Sequence, residues 1–235
     1  MSAPALYPLF LKLAQRPCVV VGGGPIAAQK AKELLEAGAD LRVISPELCD
    51  AFLHAPFAER TWTWISRGYL AGDLASAKLV ISATADPEVD ALVYEEARRD
   101  GAWVNVVDVV DRCDFYAGAV VKRGPVQVAI STAGASPSLA IALRHRVDAL
   151  LPQQLGAVAE ALGALRPALL ERFPMYRDRA QRLGHVVEAL WETGAMTTWS
   201  TETLTHALER VLACDAPCAD ASTCCIRSFS PEHAP

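Results

Sequence analysis

An α/β fold built on a parallel sheet is predicted by three observations. Short β-branched or apolar runs at 18–21, 41–44, 79–82 and 103–107 punctuate the first half of the chain, a triple glycine closes the first of them, and the pattern stops after residue 113. Strands that alternate with helical segments argue for a parallel sheet covered on both faces. Cys18-Val19-Val20-Val21 runs into Gly22-Gly23-Gly24, after which Ile26, Ala27, Ala31, Leu34 and Leu35 recur at helical spacing until Gly38 stops the helix. Leu41–Ile44 reads as a second strand ended by Ser45-Pro46, and residues 62–66 as a third candidate. Leu79–Ser82 is a further buried strand, residues 88–99 are helical, and Trp103–Val107 is a strand ending at Asp108.

Beyond residue 113 the pattern changes. Runs at 117–122 and 126–130, separated by Arg123-Gly124-Pro125, read as a hairpin. Ser136 then suits a helix N-cap and Pro137 its first position, with Leu139, Leu143, Val147 and Leu150 on one face. Pro152, Gly156, Pro167 and Pro174 punctuate a second helical region that runs to about residue 193. A short helix carrying Leu204, Leu208, Val211 and Leu212 follows Ser200, and the Ser-, Pro-, Asp- and Cys-rich end reads as a tail. The expected divisions are 1–113 for the parallel sheet, 114–150 for a small α+β segment, 151–194 for a helical C-terminal domain, and 195–235 for the short helix and tail.

Composition narrows the function classes. Lys and Arg number 22 against 27 Asp and Glu, a net charge of −5, which argues against nucleic acid as the main partner. At 52% hydrophobic and 21% charged residues the chain can build a sizeable core. No apolar run reaches membrane-spanning length, and the first residues lack the charged region of a secretory signal. Four of the seven cysteines crowd into 214–225, unlike a disulfide framework spread over a secreted fold. A soluble cytoplasmic protein without membrane partners is expected.

Gly22-Gly23-Gly24-Pro25-Ile26-Ala27 fits G-x-G-x-x-(G/A) between a strand and a helix, the context in which a Rossmann-type domain binds a dinucleotide pyrophosphate. Glycines let the backbone approach the phosphates, and the helix N-terminus offers N–H donors and a positive dipole end. The competing reading is a turn that needs glycine for geometry alone. An acidic residue for the ribose is expected about 20 residues on, where this chain has Ser45-Pro46. Arg42, on the same strand, is either an exposed strand residue or a phosphate partner.

Several motifs in order resemble one family: Tyr7-Pro8-Leu9-Phe10, the Gly22 turn with Ala28-Gln29-Lys30, Ser45-Pro46-Glu47-Leu48, Tyr69 with Asp73-Leu74, and Ala83-Thr84-Ala85-Asp86. Asn105-Val106-Val107-Asp108, Ser131 to Pro137 and Leu150-Leu151-Pro152 continue the series. Over residues 5–193 the chain resembles the precorrin-2 dehydrogenases, which also form the N-terminal half of siroheme synthases. The resemblance implies oxidation of precorrin-2 to sirohydrochlorin with NAD as hydride acceptor, and in some members insertion of ferrous iron as a further substrate. It also implies a homodimer built on the 114–150 segment. A methyltransferase half is not expected within 235 residues, and Thr132 and Ala133 stand where relatives often carry Ser and Gly.

The resemblance implies site residues as well. Gly22 to Ala27, Ser45, Pro46, Thr84 and Asp86 would meet the cofactor. Asp108, at the end of a buried strand where open α/β sheets place ligands, would be the catalytic general base; the alternative is a turn-capping residue. Asp111 and Asp114 read as turn or solvated residues. Asn105 and Thr132 would contact the substrate, whose ring of carboxylates demands focused positive charge. Lys122, Arg123, Arg144 and Arg146 are the candidate cations, and Ser136 either caps its helix or aims the helix end at a carboxylate. His145 reads as a surface or core-filling residue, with a metal or proton-transfer role as the lesser alternative. No resident metal is expected; Cys214, Cys218, Cys224 and Cys225 form a weak candidate set whose spacing matches no standard zinc or iron–sulfur pattern. Two other classes share the motif: an NAD(H)-binding redox sensor, and a metal carrier centred on those thiols.

Overall fold

The computed structural model describes residues 5–214 and 221–229, which divide into two compact units. The first holds the residues to Ala117 together with Ala133–Ala135. Its strands are β1 (Pro17–Val21), β2 (Asp40–Ile44), β3 (Thr63–Ile65), β4 (Leu79–Ser82) and β5 (Trp103–Val106), all parallel in the order β3-β2-β1-β4-β5. Two helices belong to it, α1 (Pro25–Glu36) and α2 (Pro87–Arg99).

Near-continuous apolar strands arise because both faces of the sheet are covered. Cys18, Val20, Leu41, Val43, Leu79 and Ile81 pack under Ala27, Ala31, Leu34 and Leu35 of α1. Val19, Val21, Ile44, Val80, Val104 and Val106 face Val93 and Ala97 of α2. The regular alternation expected from the sequence is only partly realised. No α-helix lies among the described residues between β2 and β4, whose links are a 3-10 turn at Asp50–Leu53 and irregular turns. Phe52, Phe57 and Trp62 take a helix's place on the α1 face, with ring centroids 4.6–5.6 Å apart.

In the second unit β6 (Ala119–Arg123) and β7 (Val126–Ile130) form an antiparallel hairpin, followed by α3 (Pro137–Leu150), α4 (Leu155–Arg172), α5 (Tyr176–Glu192), α6 (Ala195–Thr198) and α7 (Thr201–Ala213). Gly156 does not break a helix. It lies in the first turn of α4, and a Cβ there would stand 2.8 Å from the Arg123 carbonyl, so glycine permits α4 to press on the hairpin turn. Pro167 is likewise inside α4, whose other backbone bonds carry the helix past it. The described residues 221–229 depart from a tail: Cys224, Ile226 and Phe229 are buried with Val186, Leu190, Leu204 and Leu208. Its apolar residues are too few and irregularly spaced to show a period, but they complete the core of α5 and α7. The predicted apolar face of α3 is not buried within the chain, since Leu139 and Leu150 are 52% and 78% exposed and only Ala140 is buried.

Candidate active site

Strand register places the site. Ile44, Val21, Ser82 and Val106, the last residues of β2, β1, β4 and β5, pair across the sheet in one row. The loops that follow these strands therefore leave the same edge side by side. This is the carboxyl-end crevice where open α/β sheets bind ligands. A cleft of about 530 Å³ opens there, lined by all ten residues expected from sequence to meet a cofactor, Gly22 to Ala27, Ser45, Pro46, Thr84 and Asp86. Gly68, Tyr69, Ala85 and Val89 also line it, unassigned from sequence.

The three glycines do different work. A Cβ on Gly22 would stand 2.3 Å from the Ala83 carbonyl oxygen, and one on Gly23 would stand 1.9 Å from that of Glu47. Both are required by the close approach of neighbouring loops, whatever binds. At Gly24, the N-cap of α1, a Cβ would meet nothing within 4 Å and φ is −77°. The protein itself gives no reason for glycine there. A pyrophosphate does, because the first N–H groups of α1 have no intrahelical partner and its first turn contains no acidic residue. The residues present thus fit a dinucleotide.

The other loops are held by their own polar contacts. The Asp86 carboxylate caps α2 by accepting from the Glu88 and Val89 N–H groups. Ser82 and Thr84 both donate to buried Asp90, at 2.6 and 2.7 Å. Tyr69 donates at 2.6 Å to Glu96 of α2, which also accepts from the Gly72 and Leu74 N–H groups. The Tyr69 phenol is pushed up by burial and by this carboxylate. Arg42 is not among the residues that line the cleft, and it donates to the Ala75 carbonyl. Buried Cys18 is pushed up to about 11 by burial and then by Asp40, so it is an inert thiol.

Asp108 is exposed just past β5 and has φ +61°, the left-handed region. Val109 N–H donates to the Val106 carbonyl across it, so Asp108 occupies the turn position that favours Gly or Asn. Gln15, Ser76, Ala85 and Ala133 share the left-handed region, but Asp108 is the carboxylate among them, placed just past the end of β5. Asp114 is an exposed turn residue that also has partners. It accepts from the Val104 N–H and from Arg98, and its own N–H returns to the Val104 carbonyl. Asn105 is half-buried with its amide donating to the Phe115 carbonyl at 2.8 Å and the Cys113 sulfur at 3.3 Å. Gly134, in the segment that joins the first unit, lies against Val110 and Tyr116.

Within the second unit, the Thr132 hydroxyl accepts from the Ser136 N–H and donates to the Ser136 carbonyl, and Ser136 caps α3 through the Leu139 N–H. Lys122 and Arg146 are exposed and Arg144 is half-buried. Arg123 differs from them: 10% exposed, it donates to the Asp148 carboxylate and carbonyl, at 2.9 Å each, and so ties hairpin to helix. Among the described residues no group of three or more His, Cys, Asp and Glu side chains is placed to hold a metal; Cys218 lies outside those residues.

A parallel sheet ordered 3-2-1-4-5, with a glycine turn opening a helix at its carboxyl edge, defines a Rossmann-type dinucleotide-binding protein. Residues 9–119 match the family model described as "Putative NAD(P)-binding". Siroheme synthase 1 of Aeromonas salmonicida is 42% identical over 174 residues, and siroheme synthase of Photobacterium profundum is 40% identical over 174 residues. Each match covers 74% of this chain and 37% of the relative, so the chain spans little more than a third of those proteins. The solved structure of SirC, precorrin-2 dehydrogenase, superposes with a TM-score of 0.70 at 21% identity, covering 87% of this chain and all of that one. Over 74% of its length the chain is thus similar to siroheme synthases, and it shares the fold of that precorrin-2 dehydrogenase structure.

Proposed function

We propose that this protein oxidises precorrin-2 to sirohydrochlorin, with NAD as acceptor, in the cytoplasm. The single observation that carries the reading is the row of strand ends that sets an exposed left-handed carboxylate, Asp108, on the same sheet edge as the open glycine turn. Gly22 to Ala27 would hold the pyrophosphate, and Ser45, Pro46, Thr84 and Asp86 would line the remainder of the dinucleotide. When bound, the nicotinamide supplies a two-electron hydride acceptor. The reaction removes a hydride and a proton from the reduced macrocycle, and the Asp108 carboxylate takes that proton as general base. Lys122, Arg144 and Arg146 are read as partners of the substrate carboxylates. Thr132 and Ser136 are read as lining residues whose hydroxyls also fix their own loop. The reading extends to ferrous iron as a substrate, whose insertion displaces two pyrrole protons; the exposed Asp108 carboxylate can take them one at a time, passing the first to water before it accepts the second.

A homodimer is part of the proposal. The apolar side chains that α3 leaves exposed are those a second copy of the 114–150 segment would cover, as the resemblance implies. Anaerobic incubation with precorrin-2 and NAD, followed by NADH absorbance and the sirohydrochlorin spectrum and then by added ferrous iron, tests the activity. NAD-dependent sirohydrochlorin supports it, and siroheme formed faster than in the protein-free control supports chelation. Folded protein without turnover on NAD or NADP would favour the sensor or carrier readings.

A further inference from the structure

The chain from Asn105 to Phe115 leaves β5, turns through Asp108, passes a 3-10 turn at Val110–Arg112 and comes back beside its start. Asn105 and Cys113 close its neck as an antiparallel bridge. The Cys113 thiol lies 3.3 Å from the carbonyl oxygens of both Val106 and Val109, the residues that bracket the Val107-Asp108 pair. One S–H shared between them ties the two sides of the turn, while the sulfur accepts from the Asn105 amide at 3.3 Å. The other Asn105 bond, to the Phe115 carbonyl, secures the returning strand. Burial, helped by Asp114, outweighs the opposing backbone bond at Val106 and pushes the thiol up, so it stays protonated and able to donate. The contacts account for an otherwise unfavourable conformation: an Asp at φ +61° persists only when its surroundings over-determine it.

We infer that Cys113 and Asn105 are positioning residues that hold the Asp108 carboxylate in place by clamping the turn beneath it, rather than groups that touch the substrate. The inference rests on the proposed role of Asp108. It assigns to Asn105 a task other than substrate binding, and to Cys113 a task that needs a neutral thiol and no redox chemistry.

The test compares wild type, Cys113→Ala, Cys113→Ser, Asp108→Ala and the double variant Asp108→Ala/Cys113→Ala. Turnover on precorrin-2, NADH affinity by fluorescence and amide hydrogen exchange are followed. Cys113→Ala should lower kcat about 10- to 100-fold, the loss that accompanies displacement of a catalytic group by about 1 Å. NADH affinity should stay within about 2-fold, because the glycine turn is untouched. Cys113→Ser should recover part of the rate, since a hydroxyl can still donate to one of the two carbonyls. In the Asp108→Ala background the same change should alter kcat less than about 2-fold, as coupled residues are not additive. An equal loss in both backgrounds, or an unchanged kcat in Cys113→Ala, would overturn the inference. If Asp108→Ala itself retains full turnover, or wild type has none, the proposed function fails instead. Exchange then decides the clamp: Cys113→Ala, or Cys113→Ser should the alanine variant not fold, must lower protection of the Val109 and Asp114 amides by about 10-fold relative to β1 amides. Unchanged protection there refutes the clamp whatever the activity.

Discussion

Glu96 on α2 accepts the Tyr69 hydroxyl at 2.6 Å, and through that bond a buried helix residue sets the wall of the nucleotide cleft. Burial pushes the Glu96 carboxyl up. The Tyr69 hydroxyl and the Gly72 and Leu74 N–H groups outweigh it, leaving the group below its ordinary value of 4.5. Its stabilisation is therefore complete above about pH 4.5 and lost as pH falls through the lower folded-state value. Glu96→Gln should cost about 2 kcal/mol near neutral pH, the range for hydrogen bonds to a buried charge, and should flatten the acid arm of a urea-denaturation series. Dinucleotide affinity should weaken with it, because Tyr69, which lines the cleft, loses its anchor.

The glycines of the turn separate folding from binding. Gly24→Ala should fold with a loss of under about 1 kcal/mol, since its methyl meets no protein atom and only N-cap preference changes. It should nevertheless weaken dinucleotide binding by about 10-fold or more by occupying the space over the helix N-terminus. Gly23→Ala drives a Cβ into the Glu47 backbone and should cost about 3 kcal/mol or more. Thermal denaturation with and without NADH distinguishes the two variants.

Asp108→Gly should lose turnover yet stay within about 1 kcal/mol of wild-type stability, because glycine adopts φ +61° freely and relief of strain offsets its greater unfolded-state entropy. Asp108→Val, β-branched at the same position, should be about 2 kcal/mol less stable. Urea midpoints measured beside the assay check both.

Ile226→Ala should cost about 3 kcal/mol, as expected for deleting a buried Ile side chain, and should lower the melting temperature of the whole helical unit. A loose tail would leave the transition unmoved.

Much of the first unit is legible in the amino-acid order because its signals are local. Buried parallel strands read as β-branched runs, and a helix that must follow a tight turn reads as glycine, proline and a 3.6-residue period. The hairpin and the Ser136 cap were equally plain, being spelled within a few residues. Tyr69 was visible within the family motif but without a role, since its role depends on Glu96, 27 positions away. The packing of Ile226 and Phe229 was hidden for a similar reason: a few apolar residues in a polar stretch carry no period, and only the groove they fill tells them from a tail.

The sequence by itself determined the sheet, the glycine turn, the hairpin and the likeness that names the family, because propensity, spacing and motif are properties of neighbouring residues. Only the tertiary structure decided which glycine the fold itself does not require, which arginine is tied to Asp148, and what holds Asp108 in its turn. Those answers depend on Glu47, Asp148 and Cys113 meeting residues that the chain order places elsewhere, and distances across a fold are set by packing rather than by order along the chain.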